Sequence, residues 1–244
     1  MKTMSSDVPR LYAIGDLHLP GGSDKPMHVF GDHWEDHFVK ISNDWLKRVR
    51  DEDIVLIPGD ISWAMQLQDA AADLAMIAAL PGKKVMIRGN HDYWWGSIGK
   101  LRAALPIGFY ALQNDALYLD GLVFCGSRGW TNANQTASQE DQRIYQRELG
   151  RMELSLRAAD RLAPGEQPIV LTHYPPTDES GAETKMTDLF SRFAVRDVVY
   201  GHLHGQAGER AFSGLIGNVR YHPVSCDGLG FRLYRVPLDP APVL

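Results

Sequence analysis

Five short apolar runs in this chain each lead into a residue that can bind a metal ion. Leu11 to Ile14 leads into Gly15-Asp16-Leu17-His18. Ile54 to Ile57 leads into Pro58-Gly59-Asp60, and Val85 to Ile87 into Gly89-Asn90-His91-Asp92. Ile169 to Leu171 leads into Thr172-His173, and Val198 to Tyr200 into Gly201-His202-Leu203-His204. Such runs read as strands buried on both faces, the kind found in parallel sheets covered by helices. Ligands of open α/β sheets bind beyond the carboxyl ends of the strands. One site then collects two carboxylates, an amide and several imidazoles, which is the composition of a metal centre.

The segments between the runs agree with an alternating βα order. Trp34 to Val49 carries Phe38, Ile41, Trp45, Leu46 and Val49 at helical spacing. Ala70 to Leu80 is a second helix, stopped by Pro81-Gly82, and Ser97 to Leu105 a third. Asp16 and Asp60 are 44 residues apart, and Asp60 and Asn90 are 30 apart. Each interval is long enough for a βαβ crossover. The centre then changes to short strands at Phe109 to Leu112, Ala116 to Leu119 and Leu122 to Cys125, with Asp120-Gly121 as a hairpin turn. Ser138 to Leu162 reads as a long helix burying Ile144, Leu149, Met152, Leu156 and Ala159. Val219 to Val224 and Gly230 to Val236 read as two last strands.

A chain of 244 residues suits one α/β domain. Residues 1–236 are read as that domain, and Pro237 to Leu244, with three prolines, as a loose tail. A net charge of -5 runs against a broad basic face for nucleic acid. The two cysteines allow at most one bridge, and Cys125 reads as a small buried thiol. Met1 to Arg10 lacks a signal-peptide core, and no apolar stretch reaches transmembrane length, so the cytoplasm is the expected location.

The candidate ligands are Asp16, His18, Asp60, Asn90, His173, His202 and His204. Seven exceed what one tetrahedral ion needs, but suit two ions with Asp60 able to bridge them. Paired ions serve displacement at phosphorus. Met27 to Phe38 holds His28, His33 and His37, which fit a polar loop and an exposed helical turn better than a third metal. Trp63 and Tyr93-Trp94-Trp95 follow two of the motifs directly. Trp63 and Trp94 are read as candidate walls of a substrate site, with core packing as the alternative. Arg128, between glycines, is a candidate phosphate clamp, with a surface salt bridge as the alternative.

In order, Asp-x-His, Gly-Asp, Gly-Asn-His-Asp, His and Gly-His-x-His resemble the calcineurin-like metallophosphoesterase family, from Asp16 to His204. The resemblance implies a four-layer α-β-β-α sandwich with mixed sheets and a dinuclear site at one end. It implies that Asp16, His18 and His204 hold one ion, that Asn90, His173 and His202 hold the other, and that Asp60 bridges. A bridging hydroxide would then attack phosphorus. His91 would assist the leaving group, and Asp92 would orient its imidazole. Gly59-Asp60-Ile61-Ser62-Trp63 lacks the arginine that protein serine/threonine phosphatases carry at this motif, which points to the shorter bacterial-type phosphohydrolases.

The expected cofactors are two divalent transition-metal ions, among manganese, iron, zinc, cobalt and nickel. The expected substrate is a small phosphorylated molecule, a phosphomonoester or phosphodiester. The rival readings are a nuclease, a lipid-linked pyrophosphatase, and a catalytically silent binding module of the same fold.

Overall fold

The computed structural model describes residues 9–22, 27–131 and 137–238. Most of the expected loose tail, residues 239–244, lies outside the described residues. Two mixed sheets stack face to face. The first comprises β1 (Leu11–Ala13), β2 (Ile54–Ile57), β3 (Lys83–Met86), β4 (Phe109–Ala111) and β11 (Tyr234–Val236), in the order β11-β1-β2-β3-β4. Its three pairings from β1 to β4 run parallel, and β11 closes one edge antiparallel.

The second sheet comprises β5 (Ala116–Leu119), β6 (Leu122–Ser127), β7 (Ile169–Thr172), β8 (Asp197–Tyr200), β9 (Gly214–Ile216) and β10 (Val219–Pro223), in the order β5-β6-β7-β8-β10-β9. Its centre, β6-β7-β8-β10, is parallel, and both edges are antiparallel.

Period-two alternation builds the layers. Leu11, Ala13, Ile54 and Leu56 face the second sheet, where they meet Phe124, Ile169, Leu171 and Val199. Tyr12, Val55 and Ile57 face the other way. They pack against α1 (His37–Arg48), α2 (Ala71–Ala78) and α3 (Ile98–Ala104) through Ile41, Trp45, Leu74, Ile77 and Leu101. Val170, Val198 and Tyr200 pack outward on α4 (Gln139–Leu162) and α5 (Lys185–Arg192). Three apolar seams therefore separate four layers, as expected. A last short helix, α6 (Gly205–Glu209), follows β8.

The long helix starts where its cap is: the Ser138 hydroxyl accepts from Asp141 N. Its buried face uses Tyr145 where the spacing suggested Ile144, which is half-buried. Two other boundaries differ. The first helix starts at His37, because two 3-10 turns, Met27–Phe30 and Asp32–Trp34, precede it. The last strand starts at Tyr234, because Gly230 and Phe231 take positive φ and break extension. Cys125 is free and buried, and burial pushes its thiol up to about 12. Among the described residues, no helix is long and apolar enough to cross a membrane.

Candidate metal centre

The parallel ladder does not stop at the strand ends. Asp16 N donates to Gly59 O at 3.0 Å, His18 N to Asp60 O at 3.0 Å, and Leu19 N to Ile61 O at 3.0 Å. The loops after β1 and β2 thus run side by side. The second sheet reaches over to them, since His202 N donates to Asp16 Oδ1 at 3.0 Å. Four of these loop residues, Asp16, His18, Asp60 and His202, have positive φ, at 57, 45, 51 and 75°. A non-glycine residue there costs roughly 1–2 kcal/mol, and such strain gathers at functional sites. It turns these four side chains inward, off the sheet alternation.

The result is two groups that share one carboxylate. In the first, ligand atoms of Asp16, His18 and His204 all lie within 4.8 Å of one another. The second joins Asp16, Asp60 and His173 at the same spacing. Asn90 and His202 adjoin it: Asn90 Oδ1 is 2.7 Å from His173 Nε2 and 2.9 Å from His202 Nδ1. Asp60 Oδ2 lies 3.8 Å from His18 Nε2 and 3.5 Å from His173 Nε2. One oxygen therefore stands between the two groups. All seven sequence-predicted ligands are brought to this place.

Hydrogen-bond logic tests whether a cation fits. The Pro58 carbonyl cannot donate, so His173 Nδ1, 3.0 Å from it, carries the proton. A neutral His173 ring then aims its Nε2 lone pair at the Asn90 amide oxygen. Likewise, the Asp227 carboxylate, 2.9 Å from His204 Nδ1, fixes the proton there. The His204 Nε2 atom faces His18 Nε2 at 3.3 Å. His18 Nδ1 is buried without a hydrogen-bond partner. The His173 lone pair and the Asn90 oxygen are two acceptors 2.7 Å apart, and they need a positive charge between them. Carboxylate-held and carbonyl-held imidazoles are also how proteins aim histidines at metals.

The charges give the same result. Burial, then the Asp92 and Asp16 carboxylates, push Asp60 up to about 9. Burial raises Asp16 to about 6. Burial holds His18 and His173 well below the usual imidazole range and lowers His202 to about 4. Burial works against a charged His204, but the Asp227 hydrogen bond and the Asp16 charge outweigh it and raise its pKa. Carboxylates that resist ionising beside imidazoles that resist protonation form a site short of positive charge. The donor set, mixed oxygen and imidazole nitrogen, fits divalent transition ions.

This shortage has a pH signature. Asp60 binds its proton more tightly folded than unfolded, so folding favours the protonated form. That contribution is complete below the unfolded value of 3.8 and is lost as pH rises toward 9. His204, also raised, acts in the same direction above its unfolded value. The depressed histidines contribute nothing above about pH 7, where unfolded imidazoles are already neutral. Protein held in a chelator is therefore expected to lose thermal stability from pH 7 to 9. Added Mn²⁺ should stabilise it more at pH 9 than at pH 7. A chelated midpoint that stays flat or rises over that range contradicts this charge balance.

Neighbours of the ligands leave little freedom. A Cβ on Gly89 would collide with the Asp60 carboxylate, and one on Gly201 with the Asp16 carboxylate. Hence both ligands are preceded across space by glycine. The Asp60 Oδ1 atom accepts from His91 N at 2.8 Å.

Asp92, expected to steer the His91 imidazole, has both oxygens occupied otherwise. They accept from Asp60 N, Ile61 N, Ser62 N, Gly89 N and Trp94 Nε1, at 2.7–3.2 Å. Its part is to clamp the second and third motifs together. Asp92→Ala is expected to cost about 3 kcal/mol or more, since buried N–H groups lose their acceptor. Urea unfolding in chelator measures this without the metal contribution, and a loss under about 1 kcal/mol sinks the clamp.

His91 lies on the cleft over the ligands, with His18, Asp60, His202 and His204. Trp63 lines the same cleft, stacked on His18 at 4.8 Å and 23°. Trp94 does not: it is 2 % exposed, packed in the core with its indole on Asp92, so the wall expected of it is corrected to core packing. Arg128 is turned to Glu148, 3.9 Å away, and lies over the Trp130 ring. A phosphate would have to compete with that carboxylate.

The segment 27–38 is not wholly a polar loop, since Met27 and Trp34 are buried and line the cleft. His37 is tied to the Leu17 carbonyl at 2.8 Å, and no third ligand group forms among the described residues. Asp227 was missed in sequence. Cys226-Asp227-Gly228 reads only as a turn, and its link to His204 spans 23 residues.

A sequence model described as calcineurin-like phosphoesterase matches residues 9–206. No curated protein matches the chain in sequence. Among solved structures, a phosphopantetheinyl hydrolase from Mycobacterium tuberculosis is similar, with a TM-score of 0.54 at 14% identity. That alignment covers 97% of this chain and 98% of the other. A protein of unknown function from Aquifex aeolicus, also 14% identical, aligns over 93% of this chain and 95% of its own, with a TM-score of 0.49. At such identity the likeness to the hydrolase concerns the fold.

Proposed function

The chain belongs to the calcineurin-like phosphoesterase family, and within it we propose a dinuclear metal-dependent phosphoesterase acting on a small phosphomonoester or phosphodiester. One observation carries this reading. Two ligand groups lie side by side, with Asp60 Oδ2 between His18 and His173, directly under a cleft that His91 lines.

Asp16, His18 and His204 would hold one ion. Asn90, His173 and His202 would hold the second, with Asp60 shared. Divalent ions bound there supply Lewis acidity toward phosphoryl oxygens and lower the pKa of a coordinated water. The protein's own groups do the rest. Asp227 and the Pro58 carbonyl fix the tautomers of His204 and His173, so their free nitrogens point into the site. His91 is held at the cleft by its backbone bond to Asp60 and delivers a proton to the departing oxygen. The Asp92 clamp keeps His91 and Asp60 in register. The burial of Asp16 and His173 excludes bulk water from beneath the site.

An activity panel on Mn²⁺-reconstituted protein tests the proposal. It compares a phosphomonoester, a phosphodiester, a cyclic nucleotide and a nucleoside-diphosphate conjugate. Metal-dependent hydrolysis of at least one class, lost in chelator, is the expected result. No turnover of any class by protein shown to hold metal would leave a binding module as the better reading.

A further inference from the structure

One side of the cleft is built unlike the other. The cavity above the ligands holds about 450 Å³. Beside the ligands and His91, its lining adds Met27, Phe30, His33, Trp34 and Trp63. We propose that this chamber receives the group that departs with the scissile oxygen, and that it selects a flat, uncharged aromatic group. The proposal rests on the phosphoesterase reading and names the substrate class within it.

Position is the first reason. Trp63 packs beside both the ligand His18, on which it is stacked, and His91, 4.4 Å from its ring centroid. A group attached to an oxygen that His91 protonates has this indole beside it. The face of the indole is what that group meets, because its N–H is turned away to Met27 Sδ at 3.3 Å.

Charge is the second. No lysine or arginine is among the described residues lining the cavity, while Asp60 and Asp227 both are. Away from the ions that Asp60 would hold, a second phosphate or a carboxylate on the departing group would find Asp227 and no lysine or arginine among the described lining residues.

Exposure is the third. Trp34 is buried beneath the floor, but Phe30 stands at the rim 64 % exposed. An aromatic ligand would cover it and gain apolar burial there. The volume also lies in the usual range for a small-molecule site, about 300–1,000 Å³.

The test separates binding from turnover. Metal-loaded protein is titrated with 2-naphthylphosphonate and with methylphosphonate, two non-hydrolysable probes, by calorimetry and tryptophan quenching. The naphthyl probe is expected to bind at least about tenfold tighter, the scale of discrimination an apolar pocket supplies. Phe30→Ala, a rim change with little risk to folding, and Trp63→Ala should each shrink that ratio to about threefold or less, in line with lost apolar contact. Val29→Ser, on the same turn but outside the cavity lining, should leave the ratio as it is. Equal affinities of the two probes for the parent protein overturn the subsite, even if aryl esters are hydrolysed. A ratio untouched by both aromatic variants overturns it as well. A clear naphthyl preference in protein that hydrolyses no ester keeps the subsite and sinks the phosphoesterase reading instead.

Discussion

Asp60→Asn is expected to lower kcat/KM by about a thousandfold or more, a loss of about 4 kcal/mol in transition-state stabilisation. The fold should survive, because an asparagine oxygen can still accept from His91 N, as Asp60 Oδ1 does at 2.8 Å. The reason for the loss is charge. Asp60 Oδ2 stands between His18 and His173, one from each ligand group, and a neutral amide there would bind two dications poorly. The same argument fixes a second sign. Burial and the neighbouring Asp92 and Asp16 make the Asp60 charge costly. Its neutral replacement should therefore melt at the same temperature in chelator as the parent protein, or higher. Retention of more than about a tenth of the rate at saturating metal, a loss under 1.4 kcal/mol, contradicts the shared-carboxylate role.

His91→Ala should keep its metals and lose rate, by about 10²–10⁴-fold if a proton is delivered to the departing oxygen. The loss should track the leaving group. A nitrophenyl ester departs with little protonic help and should suffer least, and an alkyl ester should suffer most. Metal content measured beside the rate separates this histidine from the ligands. If the variant loses an ion, His91 is a ligand. If both esters slow equally, it positions phosphate and transfers no proton.

That the seven candidate ligands would come together was legible because each stands where an apolar run breaks, at the end of a buried strand. The layers were legible too. Runs such as Ile54 to Ile57 are buried at every residue, which only a sheet covered on both faces permits. What the sequence hid depends on distance across the fold. Strand order is one case: β10 lies between β8 and β9, and β11 returns to β1, pairings set by packing between segments far apart. The Asp227 contact with His204 is another, since Asp-Gly is common in turns without function. Trp63 and Trp94 follow their motifs alike, yet one lines the cleft and one supports Asp92. Their difference lies in which side of each loop faces the core. Short elements such as β9 and α6 carry too few residues for periodicity to register.

Metal stoichiometry and position test the central claim most directly. Protein reconstituted with Mn²⁺ is measured by elemental analysis, and its crystals by anomalous scattering at the manganese edge. Two ions per chain are expected, one against Asp16, His18 and His204, the other against Asn90, His173 and His202, with Asp60 touching both. A single ion at full occupancy, with the Asp60 carboxylate turned away from it, would contradict the account.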